Sequence, residues 1–276
     1  MKAIEQLKAK PYLDLGICGD SGTGKTAWAS RAPKPLVLLT EGQGLPTVAQ
    51  WSPDVELELV LSFPHFIRIM RELKTAPMAD GGGLLTETWG HVQTLVIDSE
   101  TDLQELVKRY VVFGDDDDGL AFVQDVTMQQ WGRITAILQA LHRDLRAMNL
   151  NTVCILLAKD ATDEADRRVV RPDMAGKWVG RIGQYFTGLG YARRVQRGTE
   201  VVYVISWELS SSYPTKLAPG FPKETTNTTE PGKTTLGTLA LHCFPDLNPP
   251  CAPGDDAKLA VTQKPQPAAA KKGGKR

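Results

Sequence analysis

The apolar positions of the chain repeat with two different periods. "YLDLGIC" (Tyr12–Cys18) alternates apolar and polar residues and then turns apolar, as a strand entering a buried sheet does. "PLVLLT" (Pro35–Thr40), "VELELVL" (Val55–Leu61), "VQTLVIDSET" (Val92–Thr101) and "NTVCILLA" (Asn151–Ala158) read as further strands. Between them the period lengthens. His65–Lys74 places Phe66, Ile69, Met70 and Leu73 on one side of a helix, and a second helix carries Leu103, Leu106, Val107 and Tyr110. Met128, Trp131, Ile134, Leu138, Leu141 and Leu145 trace the apolar face of a long third one. Strands alternating with helices predict an α/β fold, a doubly wound and mainly parallel sheet that binds ligands beyond the carboxyl ends of its strands.

The later part of the chain has a different pattern. "LGYARRVQ" and "EVVYVISWE" (Glu200–Glu208) predict an antiparallel pair turning at Arg197, Gly198 and Thr199, an extension at the sheet's edge. From Leu247 onward the chain is rich in Pro, Ala, Gly and Lys and ends on Lys271, Lys272, Lys275 and Arg276. The expected organisation is a core over residues 1–246 and a disordered basic tail over 247–276.

Composition narrows the partners. The 276 residues carry 32 basic and 32 acidic side chains, so no global field announces a nucleic acid or a membrane, and any basic surface is local. An apolar content of 42% supplies a substantial core. The N-terminus lacks the apolar run of a signal peptide, and no segment reaches the roughly 18 apolar residues of a membrane span. Cys18, Cys154, Cys243 and Cys251 form no C-x-x-C pair, and the first two fall in predicted core strands. A reduced, cytoplasmic setting is expected. The histidines His65, His91, His142 and His242 show no metal-ligand spacing. The acidic run Gly114–Asp125 has Gly114 at the first ligand position of a calcium loop and Asp rather than the bidentate Glu at the twelfth, and reads as a solvated loop.

Chemistry enters at "ICGDSGTGKTAW" (Ile17–Trp28). Gly19, Gly24, Lys25 and Thr26 satisfy G-x-x-x-x-G-K-[ST], so Gly19, Asp20, Ser21, Gly22, Thr23, Gly24, Lys25 and Thr26 are candidates to cradle a nucleotide's phosphates. A strand precedes this loop and a short helix follows, which is the order phosphate binding needs. Lysine reaches the phosphates; the threonine hydroxyl ligates Mg²⁺. Asp98, ending "TLVID", sits where a second Mg²⁺-organising group belongs; Asp98 or Ser99 could also cap the next helix, and the two roles can coexist. Glu41 follows the strand "PLVLLT" and would reach the same rim, or could be a turn residue beside Gly42 and Gly44.

The order "GDSGTGKT", "TEGQG", "TLVIDSET" resembles the RecA-superfamily P-loop ATPases. The run "QQWGRITAILQALHRDLRAMNLNTVCILLAKD" followed by "RPDMAGKWVGRIGQYFTGLGYARR" looks especially like that superfamily's phage-type nucleotide-binding proteins, AAA-family ATPases among them, relatives of phage recombinases and single-strand annealing proteins. The resemblance spans roughly Pro11 to Pro222. It implies ATP with Mg²⁺, a RecA-like fold, Glu41 directing the attacking water, Lys25 and Asp98 beside the phosphates, and a homo-oligomeric ring or filament. It also implies a γ-phosphate sensor after the strand "CILLA", but Lys159 and Asp160 stand where an amide is usual. By the same resemblance, residues 160–177 would be a DNA-contacting loop with Arg167, Arg168, Arg171 and Lys177 on phosphates, or else a mixed-charge surface loop. Lys216 would reach a neighbouring subunit's nucleotide, or be an exposed loop lysine. The implied role is DNA recombination, annealing or replication support on single-stranded DNA, with a single-strand-binding or replication protein as a further partner. An ATP-gated protein-binding module with little turnover is the other expectation.

Overall fold

The computed structural model describes residues 12–52, 54–80, 82–114, 125–217 and 221–226. The predicted tail and most of the acidic run lie outside the described residues. Among the described residues there are eleven strands: β1 (Asp14–Gly19), β2 (Pro35–Leu39), β3 (Glu56–Leu59), β4 (Leu84–Thr86), β5 (Gly90–Val92), β6 (Thr94–Asp98), β7 (Asn151–Thr162), β8 (Arg168–Pro172), β9 (Gly188–Arg197), β10 (Glu200–Ser206) and β11 (Glu224–Thr226). The helices are α1 (Lys25–Ala29), α2 (Leu45–Trp51), α3 (Phe63–Thr75), α4 (Glu100–Phe113) and α5 (Met128–Ala147).

One sheet runs in the order β11-β10-β9-β1-β7-β6-β2-β3, with β8 paired to β7, while β4 and β5 form a small separate hairpin. The pairs from β9 through β1, β7, β6 and β2 to β3 are all parallel; β9–β10, β10–β11 and β7–β8 are antiparallel. The fold is therefore the expected α/β type, a mainly parallel sheet with an antiparallel edge. The edge pair turns where the sequence places it, with Glu200 opposite Arg197.

Burial on both faces explains the near-continuous apolar strands. Leu36, Leu38, Leu95, Ile97, Cys154 and Leu156 pack on α3, α4 and α5, while Val37, Leu39, Val96, Val153 and Ile155 join Trp28 of α1 and Val48 of α2. Each fully buried Leu or Ile contributes roughly 1.5–3 kcal/mol. The second face has only short helices. Trp207 fills it, with its ring 6.4 Å from Trp28 and 5.1 Å from Phe221. Helix starts are locally encoded: Ser62 accepts from the His65 amide, and Thr127 and Gln130 form a reciprocal capping box at α5.

Three details depart from the sequence pattern. Met128, expected on the apolar face of α5, is 81% exposed, because it occupies the helix's first position, before the stripe meets the core. The helix α2 and the β4–β5 hairpin are too short for their periodicity to stand out. Most consequential, residues 160–177 are not a loop. β7 runs on to Thr162 and returns as β8, pairing Lys159 with Arg171 and Asp160 with Val170, so that only 163–167 form the turn. Asp163 closes that turn by accepting from the Ala165 and Arg167 amides, both at 2.9 Å.

Close packing between β9 and β10 generates a stability prediction. A Cβ on Gly190 would stand 2.4 Å from Ile205 Cγ2 and 2.9 Å from Trp207 Cζ3. Gly190→Ala should cost about 1–3 kcal/mol through overpacking, read as a lower denaturation midpoint. An unchanged midpoint would show that this face yields freely.

Candidate functional site

Parallel registry brings distant segments to one rim. Gly19 pairs with Leu157, Asp98 with Ile155 and Leu39 with Asp98, so the chain leaves β1, β6 and β2 at nearly the same level. The loop after β1 then turns through Gly22 and Gly24 at φ 72° and 82°, where a side chain would be strained. Such a turn directs successive backbone amides into one concavity, which suits an anion. Lys25 opens α1 and is buried, and its Nζ donates to the carbonyls of Gly19 and Asp20 at 2.7 Å each. The Thr23 hydroxyl braces the same loop through Asp20 O at 2.7 Å.

The carboxylates arrive from the other strands. Thr26 Oγ1 donates to Asp98 Oδ2 at 2.6 Å, joining residues from two different sheet crossings. Ser99, not Asp98, caps α4 by accepting from the Asp102 amide, which leaves the Asp98 carboxylate for the site. The Asp98–Ser99 peptide is cis. Thr40 aligns the neighbouring strand: its amide donates to Asp98 O at 2.9 Å, and its hydroxyl donates to Ser99 O at 2.9 Å and accepts from Ser99 N at 2.8 Å. Glu41, the next residue, thereby stands beside Asp98.

Together these residues line a cavity of about 380 Å³ that includes Ser21, Gly22, Thr23, Gly24, Lys25, Thr26, Glu41 and Asp98. Burial pushes the Asp98 carboxyl above its ordinary value, opposed by the Thr26 hydroxyl and by Lys25. Burial likewise holds the Lys25 ammonium below its ordinary value, opposed chiefly by Asp98. Glu41 is raised by burial and then by Asp102 and Asp98. A phosphate group would stabilise the charged lysine, and a cation the charged carboxylates. A hydroxyl and a carboxylate on one rim are the hard oxygen donors that Mg²⁺ takes, so the residues present fit that ion.

The remaining candidates do not enter this cavity. Arg168 forks onto Asp160, with Nη2–Oδ2 at 2.6 Å, and Arg167 Nη2 lies 2.7 Å from Asp163 Oδ2. Those guanidiniums, with the Arg167 amide, hold both carboxyls below their usual range. Arg171 and Lys177 are exposed. A second groove of about 500 Å³ brings Arg168 and Asp160 near Asp20 of the phosphate loop, beside the stacked rings of Tyr191 and Tyr213. Lys159, at the expected sensor position, pairs with Asp173 at 2.8 Å. Lys216 is tied within its own chain, donating to Phe186 O at 2.5 Å. Sequence reasoning missed Thr40, Arg31, Thr47 and Tyr203, the last three lining the cavity. Arg31, Thr40 and Thr47 fall in different segments after the phosphate loop and Tyr203 far along the chain, and the four share no motif.

This geometry defines an α/β protein with a nucleotide phosphate loop. The AAA domain model (AAA_24) matches residues 12–216, and the chain belongs to that family. No curated protein matches it in sequence. Among solved structures, a KaiC-like protein from Pyrococcus horikoshii is similar at 16% identity and a TM-score of 0.40, covering 70% of this chain and 78% of that one. The flagellar accessory protein FlaH from Methanocaldococcus jannaschii is similar at 13% identity and a TM-score of 0.40, covering 82% and 90%.

Lys25→Ala should leave the fold intact and abolish tight nucleotide binding. Charged hydrogen bonds are worth about 1.5–3 kcal/mol each, so Kd for ATP should rise at least about tenfold, measured by calorimetry. Unchanged affinity in a folded variant would remove this cavity as the phosphate site.

Proposed function

We propose that the chain binds ATP with Mg²⁺ in the 380 Å³ cavity and hydrolyses it, slowly until a partner or single-stranded DNA completes the site. The observation that carries this reading is the convergence of the phosphate loop, the Thr26–Asp98 pair and Glu41 on one rim. Lys25 and the loop amides would oppose the charge of the phosphates. Thr26 and Asp98 would hold Mg²⁺, which supplies charge neutralisation at the transferring phosphoryl group. Glu41 would orient the attacking water and take its proton. Tyr203 offers an aromatic face for the base.

The wider role we propose is phage-type DNA recombination, annealing or replication support, through a RecA-like assembly of copies on single-stranded DNA. The β7–β8 hairpin and the turn after it support it, since Arg171 on β8 and Lys177 beyond β8 are exposed and Arg168 lines the second groove with the phosphate loop's Asp20. The hairpin's ion pairs are solvent-exposed and weakened by water, so DNA phosphates can take over those guanidiniums. A protein-binding ATP switch is favoured instead by the same self-pairing, which cancels the hairpin's charge.

Glu41→Gln should preserve ATP affinity and lower hydrolysis at least about 10²-fold, the range for losing a positioned base. The parental enzyme should lose activity as pH falls through the elevated Glu41 value, because the protonated carboxyl cannot accept. Parental turnover in the variant would return Glu41 to a turn residue. Arg171→Ala and Lys177→Ala should each flatten the salt dependence of DNA affinity by about one unit of slope, with ATP binding unchanged. DNA binding indifferent to both, and to Arg167→Ala and Arg168→Ala, favours the protein-binding switch.

A further inference from the structure

Two residues beyond Asp98, a carboxylate is buried where the proposed chemistry has no use for it. Glu100 is fully buried in the first turn of α4, and His142 Nε2, from the middle of α5, is hydrogen-bonded to its Oε1 at 2.7 Å. Glu100 Oε2 has no nitrogen or oxygen partner among the described residues; its buried neighbour is the Cys154 thiol, which burial and this carboxyl together hold above its ordinary value. An apolar residue would fill this position at lower desolvation cost. His142 is in turn enclosed by aromatic rings, with centroids at 5.4 Å for Trp178, 5.1 Å for Tyr185 and 5.6 Å for Phe186. All three belong to the segment that follows β8.

One helical turn further along α4, Gln104 holds the same segment. Its side chain accepts from Ala175 N at 2.7 Å and donates to Ala175 O at 3.2 Å. A third tie runs through β7: the Leu157 amide donates to Thr101 Oγ1 at 3.0 Å, while the Leu157 carbonyl accepts from Asp173 N at 2.7 Å. Thr101 and Gln104 thus tie the start of α4 to the chain just beyond β8, and Glu100 ties it to His142 of α5. The start of α4, just beyond Asp98, is thereby joined to residues 173–175 by part-buried, directional bonds. Displacing either end must stretch or break one of them.

We infer that Glu100, His142 and Gln104 are positioning residues that hold the Asp98 turn and transmit its state to residues 173–186. The inference rests on the nucleotide and Mg²⁺ reading of the cavity. Groups that orient a metal ligand from behind change metal affinity when they are removed, and bonds that join two segments make those segments respond together.

The test is hydrogen–deuterium exchange over residues 173–186, with and without ADP and Mg²⁺, alongside binding of a fluorescent ADP analogue as Mg²⁺ is raised. In the wild-type chain, nucleotide with Mg²⁺ should slow exchange in this segment. His142→Phe keeps an aromatic ring but strands the Glu100 carboxylate; Gln104→Leu keeps the helix packing but strands Ala175. Both should bind the analogue yet lose the exchange response, and His142→Phe should raise the Mg²⁺ needed for half-maximal binding by about 10-fold or more. His142→Gln, whose amide can still donate to Glu100, should restore both readouts. If both variants respond as wild type does, or if the wild-type segment is indifferent to nucleotide that demonstrably binds, the inference is overturned. Absence of nucleotide binding in the wild-type chain would instead defeat the reading of the cavity itself, and this inference with it. If His142→Phe unfolds, Gln104→Leu and His142→Gln decide.

Discussion

The Thr40 hydroxyl is inserted against both the amide and the carbonyl of Ser99, and the placing of two carboxylates depends on that interlock. Parallel pairing alone brings β2 and β6 to a common level, but it does not set the path of the chain beyond the last ladder bond. Thr40 does, because its amide also holds Asp98 O. Glu41 then leaves β2 in an extended conformation, φ −139° and ψ 150°, and faces the same cavity as Asp98. A serine could keep this bonding in principle. A valine of similar shape would strand buried polar atoms of Ser99 at about 1–3 kcal/mol and leave Glu41 unanchored.

The sheet's unequal cover follows from the same crowded rim. On one face α3, α4 and α5 are long enough to bury a full stripe each, and a single apolar cluster spans them. On the other, α1 lasts five residues before Pro33 and Pro35 enter the chain, so the helix cannot cover the strands beneath it. Trp28, Trp207 and Phe221 make up the missing area with large rings. The phosphate loop therefore sits on a short helix braced by aromatic packing, while Asp98 precedes a long helix anchored at several buried points. Of the two sides of the cavity, the carboxylate side is the better tied to the rest of the chain.

The extent to which the site was legible follows from how local each determinant is. Gly19, Gly24, Lys25 and Thr26 carry their chemistry within eight consecutive residues, and Asp98 ends an apolar run that only a buried strand explains. Both the parallel core and the β9–β10 turn were readable on the same grounds. Thr40–Ser99 and Glu100–His142 were not, since each joins residues tens of positions apart and leaves no periodic trace. The β7–β8 hairpin was hidden differently. Its strands are mostly charged where they leave the sheet, and Asp160, Arg167 and Arg168 read as loop chemistry although the β-branched pair Val169 and Val170 suits a strand.

Two glutamates could be considered for the role of activating water, and burial separates them. Glu100 follows the Asp98 turn immediately, but its side chain is enclosed beneath the sheet's helical layer and one oxygen is engaged by His142. A water reaching it would have to enter the apolar cluster around Leu103, Trp178 and Phe186. Glu41 is only partly buried and lines the cavity with Lys25, Thr26 and Asp98. Sequence proximity to Asp98 would favour Glu100, but access to the cavity favours Glu41. On the proposed reading, in which Glu41 serves the water, Glu100 would act from behind Asp98. Its burial, which would disable a base, suits a fixed support.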